Sequence, residues 1–153
     1  MELNLDGVIA QTIQLALTPV FVLVAIGNIL NILSNRLARV VDRSRFLQET
    51  HARTSGVEHD AVVREIRIVD RRIRLINSAM LLLVMSGLSI GMTVAMLFVE
   101  EVFHASLQNA AAAFFFGSIA LLMAALLSFL RETRVATNAL KIPATYLELE
   151  RKL

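Results

Sequence analysis

Three stretches without an ionisable side chain limit what this chain can become: residues 7–35, 75–99 and 105–130, runs of 29, 25 and 26 residues. A helix rises 1.5 Å per residue, so roughly 20 residues cross a hydrocarbon core of about 30 Å, and each run spans it with length left for tilt. The water-soluble alternative would bury three wholly apolar helices, and 153 residues, 56% of them hydrophobic, leave too little polar chain to cover them. The expected fold is an all-α membrane protein, a single membrane domain over residues 1–153. Its transmembrane helices fall at about 8–33, 76–99 and 110–130, and the first two extend into a cytoplasmic antiparallel helical hairpin at about 35–75.

Charge sets the expected orientation, because loops rich in Lys and Arg stay on the cytoplasmic side. Between Asn35 and Arg74 lie ten of the fifteen basic residues, all arginine, against six acids. The tail over 131–153 carries five bases and three acids, whereas the N-terminal segment and the Glu100–His104 loop together carry four acids and no Lys or Arg. This bias places the N-terminus outside and the hairpin and C-terminus in the cytoplasm. The acidic N-terminus (Glu2, Asp6) lacks the basic flank of a cleavable signal. The absence of cysteine removes disulfides and thiol chemistry from consideration.

The hairpin is written in a three-four repeat. Leu33, Leu37, Val40, Ser44 and Leu47 make one seam, and Val62, Ile66, Val69, Ile73 and Ile76 the other. Thr54, Ser55 and Gly56 supply a turn between them, with Ser55 and Glu58 in the spacing of a capping box. No helix breaker separates either seam from its span, so two long helices are expected, each projecting about 25 Å beyond the bilayer. Apolar burial does little to associate helices inside lipid, so small residues are expected at the contacts: Gly87 and Gly91 in the second span, and Ala113, Gly117, Ala120, Ala124 and Ser128 in the third. Ile142-Pro143 is expected to stop the third helix near Lys141; no role can be read for residues 144–153.

Four stretches carry a resemblance: Thr18-Pro19-Val20-Phe21, the run from Asn35 to Arg45 (NRLARVVDRSR), Arg71-Arg72-Ile73-Arg74-Leu75-Ile76-Asn77, and Phe129-Leu130-Arg131-Glu132. From about Gln11 to Arg134 the chain resembles the bacterial DUF2721 family of small membrane proteins of unknown function, and the Arg/Asp run after the first span is the most specific part. The resemblance implies a multi-pass protein of the bacterial cytoplasmic (inner) membrane and supplies no activity and no site residues.

The spans contain no Ser/His/Asp constellation, buried carboxylate or metal cluster, so no enzyme, catalytic residue or cofactor is expected, nor a nucleic-acid partner. His51, His59, Glu49, Glu58 and Asp60 gather near the hairpin turn, but no close ligand spacing fixes a third ligand, and no metal site is assigned. The first span, with Pro19 inside it, is unusual for its amides. Asn4, Gln11, Gln14, Thr18, Asn28 and Asn35 recur at helical steps on one face, with Asn31 beside them and Phe21 and Ile32 interrupting. Two readings stand. Gln11, Gln14, Thr18, Asn28, Asn31 and Asn35 line a water-filled path through an oligomer, or they hydrogen-bond between helices inside one three-helix bundle. Arg36, Arg39, Arg71, Arg72 and Arg74 fall at the level of lipid headgroups and are expected to meet anionic ones, while Arg39–Asp42, Arg67–Asp70 and Asp70–Arg74 are spaced for surface pairs. The expected partners are therefore an anionic bilayer and further copies of the chain, in a symmetric homo-oligomer, cyclic rather than dimeric. An ion channel or pore is the expected function. The alternative is a non-conducting scaffold whose Arg-rich hairpin binds anionic lipid or a soluble partner.

Overall fold

The computed structural model describes residues 2–103 and 106–139, with the side chains of 2–12, 15, 16 and 139 outside the description. Three α-helices make up the described chain: α1 (Glu2–His51), α2 (Val57–Phe103) and α3 (Gln108–Ala139). All three contain a stretch long and apolar enough to cross a membrane, which marks a multi-pass membrane protein. The helix stop expected at Ile142-Pro143 lies outside the described residues.

The uninterrupted lengths of α1 and α2 follow from the absence of any breaker between span and hairpin. Even Pro19 lies within α1 rather than ending it, since a membrane helix tolerates the one lost backbone donor when neighbours compensate. At the turn, the amide of Asp60 donates to the Gly56 carbonyl at 3.2 Å, which makes Gly56 the residue that opens α2. Its φ of 65° lies in the left-handed region, where a side chain would be strained. Ser55 therefore stands one position too early to cap α2, and the expected capping box with Glu58 gives way to a glycine whose backbone the turn requires.

The buried residues repeat every seventh position. On α1 they are Pro19, Ile26, Leu33, Val40 and Leu47; on α2 they form two rows, Val62, Val69, Ile76, Leu83 and Ile90, and Ala79, Ser86 and Thr93; on α3, Ala111, Ser118, Ala125 and Glu132, with Ala136 one turn further on. Leu37 and Ile29 on α1 and Ile66 and Ile73 on α2 pack against this core as half-buried neighbours. A seven-residue repeat keeps one stripe turned toward a partner along the whole length of a helix. The hairpin seams read from sequence thus continue without a change of register into the spans.

The helix α2 is central and packs against both α1 and α3. Along the spans the interior combines large aliphatics (Ile26, Leu33, Ile76, Leu83, Ile90) with small or hydroxyl-bearing residues (Ala79, Ser86, Thr93, Ala111, Ser118, Ala125), and the exterior carries Phe21, Val24, Ile32, Leu81, Leu88, Phe116 and Leu127. The small and hydroxyl-bearing positions permit the close backbone approach and interhelical hydrogen bonds that hold helices together in hydrocarbon, where apolar burial does little.

Candidate functional site

Which way the α1 amides point depends on the repeat just described. With α1 turned to α2 through Ile26 and Leu33, a residue about half a turn round the helix faces away. Gln14, Thr18, Asn28, Asn31 and Asn35 are all exposed. Within one chain the only described contact among them is a long hydrogen bond from Asn35 Nδ2 to Asn31 Oδ1, at 3.4 Å. Gln14, Asn28, Asn31 and Asn35 form no hydrogen bond to another helix among the described residues, and α2 covers the opposite face of α1 through Ile26 and Leu33. Gln11 and Asn4 lie outside the described side chains.

The polar contact that does join all three helices comes from the end of α3. Continuing the α3 repeat from Ala125 places Glu132 on the packing seam, and its side chain is fully buried while those of Arg36 and Arg72 are 23% and 24% exposed. Arg72 Nε on α2 donates to Glu132 Oε1 at 3.0 Å. Arg36 Nη2 on α1 lies 2.7 Å from Oε2, but off the hydrogen-bonding axis, so that oxygen is held electrostatically and accepts no hydrogen bond among the described residues. The Arg36 guanidinium also stands over the Phe129 ring, 5.1 Å from its centroid, a geometry in which the ring face attracts the cation. A carboxylate can be buried here because two guanidiniums meet it.

The five arginines expected at headgroup level thus separate into groups. Arg36 and Arg72 turn to Glu132, a use not read from the sequence. Arg74 pairs with Asp70, as its spacing predicts, and Arg71 stands beside Val135 and Asn138 of α3. Among the described residues, Arg39–Asp42 and Arg67–Asp70 are not formed. Arg43 crosses the hairpin to Glu65, with Nη2 at 2.7 Å and Nε at 2.8 Å from Oε1. Arg36, Arg39, Arg43 and Arg72 converge on a cleft of about 280 Å³ between α1 and α2, with Val40 and Val69 also lining it.

Two other features complete the inventory. At the turn the rings of His51 and His59 lie in contact, centroids 4.3 Å apart and planes tilted by 50°, and no group of three metal-ligating side chains forms among the described residues. Toward the far end of the spans an open, largely apolar cleft of about 350 Å³ is lined by Thr18, Pro19, Thr93, Leu97, Gln108, Ala111 and Phe115.

The small-residue contacts are shifted from expectation. Gly87 does face α1: a Cβ added there would lie 3.7 Å from Leu23 Cδ2 and 4.0 Å from Ile26 Cγ2. Gly91, Gly117 and Ala113 are instead exposed and Ala124 is half-buried, while the α3 seam runs through Ala111, Ser118 and Ala125. With alanine or glycine on nearly every face of α3, size alone cannot select the seam; polar side chains do. Ser86 Oγ donates to the Ser118 carbonyl at 2.7 Å, and Glu132 must meet its arginines. The missed signal was the seven-residue spacing from Ala111 to Glu132, which joins a charge beyond the span to the span's own packing stripe.

Compared with known proteins, residues 16–142 match a family model described as a protein of unknown function (DUF2721). The comparisons with curated proteins and with solved structures give no match.

Proposed function

Since the chain belongs to the DUF2721 family, whose description assigns no activity, we propose a function from the face of the fold left without a partner: a symmetric homo-oligomer in which the amide stripe of α1 lines a polar path across the membrane. The observation that carries this reading is the outward placement of Gln14, Asn28, Asn31 and Asn35. An amide left in hydrocarbon without a hydrogen bond costs roughly 2–7 kcal/mol, so the stripe must meet water or another copy of itself. From Gln14 to Asn35 it extends about 32 Å along the helix, the thickness of the hydrocarbon core. Uncharged amides and hydroxyls can hydrate a passing ion without trapping it. A ring of copies turns every stripe to one axis, and the arginine-rich hairpins, cytoplasmic by the charge rule, would then surround its mouth.

Ion flux into proteoliposomes is the test. Flux is expected to change severalfold in Asn28→Leu, with the oligomer unchanged in native mass spectrometry. The absence of flux under voltage, pH and calcium steps, or a purely monomeric protein in mild detergent, would overturn the reading. The rival, a non-conducting scaffold, draws support from Arg45, Arg53, Arg64 and Arg67, exposed on the hairpin without an ion pair among the described residues. It requires α1 substitutions to be silent and charge reversal on the hairpin to abolish recruitment of its partner.

A further inference from the structure

We propose that the cleft between α1 and α2 walled by Arg36, Arg39, Arg43 and Arg72 is a specific binding site for a phosphate monoester. Four guanidiniums open on one cleft, and two carboxylates serve them: Glu132 for Arg36 and Arg72, and Glu65 for Arg43. Arg39 forms no ion pair among the described residues. The site therefore carries two positive charges in excess, which matches the nearly doubly negative phosphate monoester better than a singly charged diester.

The buried carboxylate is what separates this cleft from a diffuse basic surface. Glu132 engages only Nε of Arg72 in a hydrogen bond and holds Arg36 by charge, with the Phe129 ring against the same guanidinium. Both arginines are thus fixed from the bundle side, and N–H groups on each remain uncommitted. Guanidinium groups so fixed present paired donors to phosphate oxygens with little ordering left to do on binding. The height of the cleft points to its ligand's two sources. Arg36 follows the buried Leu33 by three residues, where the uncharged run ends, so a phosphate there belongs either to a monoester lipid headgroup or to a soluble phosphate compound.

The test uses the full-length protein in mild detergent. One arm measures retention of phosphatidic acid against phosphatidylcholine by native mass spectrometry, and the other measures the melting shift with inorganic phosphate against chloride at equal ionic strength. Arg39→Ala/Arg43→Ala removes two walls that do not touch Glu132, and Arg45→Ala/Arg53→Ala removes the same charge elsewhere on the hairpin. A loss of about thirtyfold in apparent affinity is expected for the first variant, from two arginine–anion contacts, and less than about threefold for the second. Both variants should elute and melt like the parent without ligand. Phosphatidic acid retention lost only in the cleft variant supports the site and assigns a lipid; a phosphate melting shift lost only there supports it and assigns a soluble ligand. Binding of neither probe, or equal losses in the two variants, overturns the proposal.

Discussion

Removing Glu132 and removing its two arginines should have unequal costs, and the inequality follows from burial. Glu132 is fully enclosed, whereas Arg36 and Arg72 are about one-quarter exposed. In Glu132→Gln the two guanidiniums lose their counter-charge but swing toward water, and the amide oxygen still accepts from Arg72. The expected cost is about 1–2 kcal/mol, that of weakening one charge-assisted hydrogen bond and one ion pair. In Arg36→Ala/Arg72→Ala a carboxylate is left enclosed with no cation within reach, and breaking a buried pair in this sense costs about 3–5 kcal/mol. The triple variant removes the stranded charge and should recover at least about 2 kcal/mol relative to the double, a coupling that independent sites do not show. Equilibrium unfolding in mixed detergent micelles, followed by circular dichroism, measures all three. If Glu132→Gln is the most destabilised, or if the triple equals the sum of its parts, the three-helix clasp does not organise this end of the bundle.

The glycines provide a graded comparison. Gly87→Ala should be neutral, since its Cβ would sit at ordinary contact distance from Leu23 and Ile26, while Gly87→Leu should cost about 1–3 kcal/mol by overpacking. A Cβ added at Gly91 or Gly117 would meet nothing within 4 Å, so Gly91→Leu and Gly117→Leu should leave the melting of the three-helix unit unchanged; a shift of oligomeric state in native mass spectrometry would locate a surface between copies. Gly56→Ala should destabilise the hairpin by about 1 kcal/mol through its positive φ, measured by the same unfolding assay, and an unchanged midpoint would refute the assigned turn geometry.

The helices were legible in the sequence because the signals behind them are local. Uncharged runs, heptad spacing and the lack of breakers fix three long helices and place Leu33, Val40, Leu47, Val62, Val69 and Ile76 on facing seams. What was not legible depends on distant parts of the chain. Glu132 lies 60 positions from Arg72, and nothing local to either announces the partner. The α3 seam could not be chosen by residue size, because alanines and glycines occur on several of its faces. The capping box failed for a related reason: Ser55 has the right neighbours, but the turn's one left-handed position belongs to Gly56. Sequence spacing reports which residues share a face; it does not report which face is covered.

That last distinction decides how the α1 amides differ from the other polar groups in the spans. A hydroxyl on a helix can satisfy itself on the backbone one turn earlier or on a close neighbour: Thr93 donates to the Ser89 carbonyl at 3.0 Å, Ser128 to that of Ala124 at 3.0 Å, and Ser118 to that of Phe115 at 2.6 Å. Ser86 reaches across to α3. An asparagine has no complete exit of this kind, because its amide carries two donors and an acceptor, and a helix carbonyl one turn earlier can take at most one of those donors. Asn35 donates one N–H to Asn31 Oδ1 through a long contact, and Asn28 has no hydrogen-bond partner among the described residues. The covered seam of α1 is complete without these residues, for Ile26, Leu33, Val40 and Leu47 pack to α2 unaided. Folding of the single chain therefore gives no reason for asparagine on the outer face, and leucine there would be better solvated by lipid. The proposed oligomer would give these amides a role, against water or against the same face of another copy, and Asn28→Leu asks which by its effect on flux and on subunit number.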